Sequence, residues 1–122
     1  MKVAIVGSRS CKNYNFFSKK LAQILINELN IARNEDISFI SGGAIGVDLM
    51  AERFADQFAI QIEEIRPDYK TYHPKSAPII RNKEIVRRAD IVIAFWDGKS
   101  RGTQNTICEA IKQDKRLITV DI

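Results

Sequence analysis

Five short apolar runs, separated by helix-length amphipathic stretches, constrain this chain more than any other feature. Lys2–Val6 is apolar and stops at Gly7. Ile37–Ile40 is β-branched and aromatic, and stops at Ser41-Gly42-Gly43. Ile60, Ile62 and Ile65 alternate; Ile91–Phe95 is apolar throughout; Leu117–Val120 forms the last run. Between them, apolar residues recur at helical spacing over about 15–29 and from Val47 to Phe58. A third helix runs to about Ala89 with Pro78 in its first turn, where the missing N–H costs nothing, and a fourth spans Thr103–Gln113. Continuous apolar strands joined by helices predict a parallel sheet covered on both faces. Right-handed crossovers then predict a three-layer Rossmann-like α/β sandwich of about five parallel strands, as a single domain over residues 1–122.

In such sheets a ligand lies beyond the carboxyl ends of the strands, where strand order reverses. Three turns are predicted to meet there. Gly7-Ser8-Arg9-Ser10 follows the first strand, Ser41-Gly42-Gly43-Ala44-Ile45-Gly46-Val47-Asp48 the second, and Ser100-Arg101-Gly102-Thr103 the fourth. Each opens a helix, whose first N–H groups are unpaired and whose dipole is positive there. Glycine allows a phosphate to approach that backbone closely. The spacing matches neither the dinucleotide fingerprint nor a P-loop, and the lysine and hydroxyl that end a P-loop are missing.

Each turn also has a purely structural reading. Asp48 either caps the second helix or holds a ribose hydroxyl; Ser100 or Thr103 either caps the fourth helix or binds phosphate. Arg9 and Arg101 are phosphate partners or solvated charges. Trp96 follows the fourth strand, as a cover for a base or as rim packing. Arg66–Ser76 is longer than the usual connection of about 2–6 residues, and its Tyr69, Tyr72 and His73 suit a lid. His73 is the sole histidine, and no metal-ligand spacing occurs; neither a metal nor a cofactor is implied.

The chain carries a formal charge of +4, which suits an anionic ligand, but its basic residues are scattered rather than clustered for nucleic acid. No run reaches the roughly 18 residues of a membrane span. Cys11 and Cys108 read as reduced thiols, and a cytoplasmic protein with no membrane association is expected.

Taken in order, Gly7-Ser8-Arg9, Ser41-Gly42-Gly43-Ala44-x-Gly46-x-Asp48, Arg81-Asn82 and Ser100-x-Gly102-Thr103 resemble the SLOG superfamily, in its small YspA-type branch. That superfamily joins the DNA-processing protein A Rossmann domains to the "lonely guy" phosphoribohydrolases. The resemblance implies a Rossmann-like fold that binds nucleotides or nucleotide-derived ligands, adds Arg81 and Asn82 to the site, and implies a homo-oligomer. Three functions follow from it. The phosphoribohydrolases cleave N-glycosidic bonds, and deoxyribosyltransferases are similar; both carry a glutamate three residues after the threonine of the last turn. Here that position is Thr106. Glu109 is the nearest carboxylate on that helix, about 9 Å of rise beyond Thr103 and directed away from the turn. Asp48 and Glu109 are therefore weak catalytic candidates, with Asp97 also near the crevice. The DNA-processing proteins bind single-stranded DNA, but no aromatic and basic platform for successive bases stands out here. The favoured expectation is a protein that senses or sequesters a nucleotide-derived small molecule.

Overall fold

A computed structural model describes all residues, 1–122. Five parallel strands form one sheet in the order β3-β2-β1-β4-β5: β1 is Lys2–Gly7, β2 Ser38–Ser41, β3 Gln61–Glu64, β4 Ile91–Trp96 and β5 Arg116–Asp121. The helices are α1 (Tyr14–Gln23), α2 (Val47–Gln57), α3 (Ala77–Arg88) and α4 (Arg101–Lys112). The Rossmann-like α/β sandwich expected from the apolar runs is the fold observed.

Strand order follows from the crossovers. From β1 the chain moves outward through β2 to β3, which places α1 and α2 on one face. It then returns past β2 and β1 to lay β4 on the other side of β1, which places α3 and α4 on the opposite face. Alternation along the strands divides the core accordingly. Val3, Ile5, Phe39, Ile93 and Phe95 pack with α1 and α2, whereas Ala4, Val6, Ile40, Val92 and Ala94 pack with α3 and α4. All ten lie under 8% exposed, as both faces of an internal parallel strand require.

Local chemistry sets the element ends. The Asn13 side chain accepts a hydrogen bond from Phe16 N at 3.1 Å and starts α1. Pro78 sits in the first turn of α3 as predicted. The helix predicted over 15–29 is two structures: α1 passes into a π-helical turn over Ile24–Glu28, closed by Leu29 N donating to Ile24 O at 3.0 Å. Apolar residues at Ile24, Leu25 and Leu29 satisfy either winding, so periodicity did not separate them. A 3₁₀ turn at Asn34–Asp36 also escaped prediction. The fourth helix begins at Arg101, two residues before its predicted start, which puts Gly102 inside the first turn.

Phe95 fills the centre of the larger core half, fully buried with its ring centroid 4.8 Å from that of Phe17. Replacing it with alanine is expected to cost about 3–5 kcal/mol in urea unfolding; a loss below 1 kcal/mol would place the packing centre elsewhere.

Candidate functional site

The three predicted turns do converge. Together with the start of α3 they enclose a cleft of about 340 Å³ at the carboxyl ends of β1 and β4, the point where strand order reverses. Of the predicted site residues, Gly7, Arg9, Gly42, Asp48, Arg81, Asn82, Ser100, Gly102 and Thr103 line it.

Polar bridges between distant segments build the cleft. Asp97, directly after β4, accepts from Lys99 N and Ser100 N, both at 2.8 Å, and so folds the turn that leads into α4. Its second oxygen accepts from Ser10 Oγ at 2.8 Å, and its own N–H donates to Ser8 Oγ at 3.2 Å. Ser8 N in turn donates to Phe95 O at 2.9 Å. The turns after β1 and β4 are thereby stitched together. The N–H groups of Ser100 and Lys99, with the Ser10 hydroxyl, hold the Asp97 carboxyl down to about 2, so it is ionised throughout the physiological range.

The turn after β2 docks on the same place. Gly46 adopts φ +82°, and a Cβ there would lie 2.8 Å from Arg9 Cα and 2.9 Å from Ser8 O. Only glycine permits both the backbone conformation and the approach of α2 to the β1 turn. At Gly42 a Cβ would meet Arg81 Nη1 at 2.6 Å. The space is occupied because Arg81 reaches across from α3, donating from Nη1 to Gly42 O at 2.9 Å and from Nε to Asn82 Oδ1 at 2.9 Å. Asn82 then donates to Asn105 Oδ1 at 3.0 Å and ties α3 to α4.

Asp48 lies in the first turn of α2, 7% exposed, and accepts from Ala44 N at 3.0 Å. Its side chain folds the Gly42–Ala44 turn back on the helix. Burial pushes its carboxyl up to about 6, against the pull of the Ala44 N–H and of Arg81. Just outside the cleft, Glu52 and Glu64 share a hydrogen bond that raises Glu52 to about 7 and lowers Glu64. The charge balance inside is two guanidinium groups, Arg9 and Arg81, against the carboxyls of Asp48 and Asp97. Neither arginine joins a salt bridge.

Helix α4 meets the cleft with its N-terminus open. No side chain caps it: the Ser100 and Thr103 hydroxyls lie 3.2 Å apart and bond to each other, so the capping predicted for either does not occur. The first-turn N–H groups therefore keep their bonding capacity.

Several predicted residues stand elsewhere. Trp96 donates from Nε1 to Ser100 O at 3.0 Å; its indole braces the turn and does not line the cleft. Arg101 is exposed outside the lining. Ser8 and Ser41 are fully buried, and Ser41 Oγ accepts from Gly43 N at 3.4 Å, so both act within the turns. Gly43 faces Glu64 rather than the cleft. Tyr72 lies in a separate groove beside α3, and Glu109 accepts from Gln113 Nε2 in that same groove. His73 accepts from Lys75 N within its own loop. Ser10 and Thr106 line the cleft without having been singled out for it. Helical spacing carries the signal for Thr106, which shares the face of Thr103 three residues earlier. The Asp97-Gly98-Lys99-Ser100 pattern carries it for the Asx turn that Asp97 forms.

Residues 1–72 match the YAcAr family, the YspA, cpYpsA-related SLOG family. The Gene 61 protein of Mycobacterium phage D29 is 39% identical over 117 residues, covering 91% of this chain and 89% of its own. The chain belongs to the YspA-related SLOG family. Among solved structures, this SLOG chain is similar to DNA processing protein A from Helicobacter pylori, described for its single-stranded DNA binding mode. There the TM-score is 0.69 at 23% identity, over 98% of this chain and 64% of that one. DNA processing protein A from Streptococcus pneumoniae gives 0.73 at 19%, over 97% and 49%. The structural-genomics target TM1055 gives 0.64 at 22%, over 95% and 71%. The SLOG chain thus spans about half to two-thirds of the DNA processing proteins. At these identities the likeness is one of fold. No helix is long and apolar enough to cross a membrane.

The raised Asp48 pKa has a stability consequence with a definite sign. Between its ordinary value near 3.9 and about 6, the native state holds more protons at Asp48 than the unfolded chain. Asp48 therefore makes stability fall as pH rises through that window. Asp48→Asn is expected to remove that component: the stability difference between variant and parent in urea unfolding should shift toward the variant from pH 4 to pH 7. A difference independent of pH would show that Asp48 titrates normally.

Proposed function

We propose that the cleft binds a nucleotide or a nucleotide-derived ligand through its phosphate, and that the protein senses or sequesters that ligand. The observation that carries this is the uncapped N-terminus of α4, opening between two guanidinium groups that have no ion-pair partner. Unpaired N–H groups, the helix dipole and nearby arginines together favour an anion. A bare anion would also meet Asp48 and Asp97. Carboxylates at that position suit a ligand whose phosphate is attached to hydroxyl donors, as in a ribose phosphate. Gly42, Gly102 and Thr103 are assigned to the phosphate, Arg9 and Arg81 to its charge, and Asp48 to a ribose hydroxyl. The size of the cleft, about 340 Å³, lies at the small end of ligand sites.

Binding is preferred over glycosidic cleavage because Thr106 occupies the place of the expected glutamate and Glu109 is engaged with Gln113 outside the cleft. A second reading, single-stranded nucleic acid, draws on the likeness to DNA processing protein A.

A thermal-shift screen with nucleoside monophosphates, cyclic nucleotides and ADP-ribose forms tests the reading. A true ligand at 100 times its Kd is expected to add about 2.7 kcal/mol of stability. Arg81→Ala should weaken it at least tenfold, about 1.4 kcal/mol. No stabilisation by any of them, together with tight oligonucleotide binding that weakens steeply with salt, would favour the second reading. Release of free base from a nucleoside monophosphate, abolished by Asp48→Asn, would establish cleavage instead.

A further inference from the structure

The cleft lacks one thing that a nucleotide needs. Its apolar lining is Val6, Ala44 and Ile85, and no aromatic side chain lines it. Trp96, at the edge of the β4 turn, is bonded to Ser100 O. Small-molecule sites are generally lined by apolar and aromatic groups with a few polar ones placed among them. A cleft of this polar make-up holds a phosphate and a sugar but offers no platform to a base.

A platform adjoins it. The groove beside α3, about 490 Å³ in volume, has Arg81 as a wall in common with the cleft. Its apolar side is Ile65, Ala77, Ile80 and the exposed ring of Tyr72. Groove and cleft are also joined through the backbone: Ile65 N donates to Ser41 O at 2.8 Å, one residue before the Gly42 carbonyl that holds Arg81. Asp68 then fixes the loop. Its carboxylate accepts from Lys70 N and Thr71 N, both at 3.1 Å, and its carbonyl accepts from Tyr72 N at 3.2 Å. An Asx turn of this kind sets the backbone of Tyr72. Burial lowers the Arg81 pKa, and Asp48 and the Tyr69 phenol oppose it, so the same loop brings a second ring near the guanidinium. Charges on the groove's rim are largely engaged: Arg66 with Glu64, Arg87 with Glu84, and Glu109 with Gln113. The apolar floor and the ring are left for an uncharged group.

We propose, on the reading of the cleft as a ribose-phosphate site, that this groove takes the aromatic base of the same ligand and that Tyr72 is the ring on which the base stacks. The ligand then runs from the N-terminus of α4, past Asp48 and Arg81, to the loop after β3. Arg81 meets it twice. Its charge serves the phosphate, and its plane lies against the base, since guanidinium groups stack on aromatic rings. Stacking accepts any π-face, so Tyr72 supplies affinity for a base without choosing between purine and pyrimidine.

Calorimetric titration of the whole chain with ribose 5-phosphate, adenosine monophosphate and uridine monophosphate tests this. Both nucleotides are expected to bind at least about fivefold more tightly than ribose 5-phosphate, the effect of one stacked base. Tyr72→Ala should bring both nucleotides to the affinity of ribose 5-phosphate, with circular dichroism unchanged because the ring is exposed. Tyr72→Phe, which keeps the ring, should keep the preference. Nucleotides that bind no more tightly than ribose 5-phosphate overturn the base groove while the phosphate cleft stands. A preference that survives Tyr72→Ala overturns it equally. If neither the sugar phosphate nor the nucleotides bind, the reading of the cleft fails and the base groove falls with it.

Discussion

The pairing of β1 with β4 is the constraint on which the rest of this molecule depends. These strands are neighbours in the sheet but 88 residues apart from Val3 to its partner Ile91. Because the chain must cross back to reach that position, helices are divided between two faces and a crevice opens where they part. The same pairing brings Gly7 level with Phe95, and hence Ser8 and Ser10 within reach of Asp97. Without that register the Asp97 carboxylate would lose the Ser10 hydroxyl, its backbone N–H would lose Ser8 Oγ, and the α4 turn would lose its connection to β1.

The cleft is held open by polar side chains that bond to one another and to the backbone across distant segments. Arg81 spends two of its donors on Gly42 and Asn82, yet joins no salt bridge, and it sits close enough to Asp48 to temper the cost of burying that carboxyl. No buried side-chain polar atom is left without a partner. A site with this much internal bonding is preorganised: the turns need not be ordered by a ligand, which reduces the entropic cost of binding. Asp48 and Asp97, two carboxyls in one cleft, differ for a physical reason. One is desolvated with a single close backbone donor; the other accepts from two backbone N–H groups and a hydroxyl.

Much of the fold was legible because its signals are local. Apolar runs, Pro78 at a helix start and glycines after strands each depend on a few neighbouring residues, and all five strands and four helices appear in the predicted order, with the first helix shortened by its π-helical turn and the fourth starting two residues early. The misreadings at the site have a common origin. Trp96 and Arg101 stand at the right turn, but which way a side chain leaves a turn depends on what it bonds, and the indole found Ser100 O. Ser100 and Thr103 have capping chemistry, yet their hydroxyls bond each other. Thr106 and Ser10 enter the lining only once the helix face and the β4 turn are placed.

The sequence by itself determined a doubly wound parallel sheet, three turns facing one crevice, and membership signals spread over four motifs; of those turns only the ones after β2 and β4 open a helix, since α1 starts at Asn13, beyond the turn after β1. Tertiary structure alone decided which residues of those turns look into the cleft and how they are charged. Arg81 and Gly42 lie 39 positions apart, Asn82 and Asn105 23, Ser8 and Asp97 89. Contacts at such separations are selected by strand order and register, and a carboxyl's pKa by the water it loses, neither of which is carried by the residues beside it in the chain.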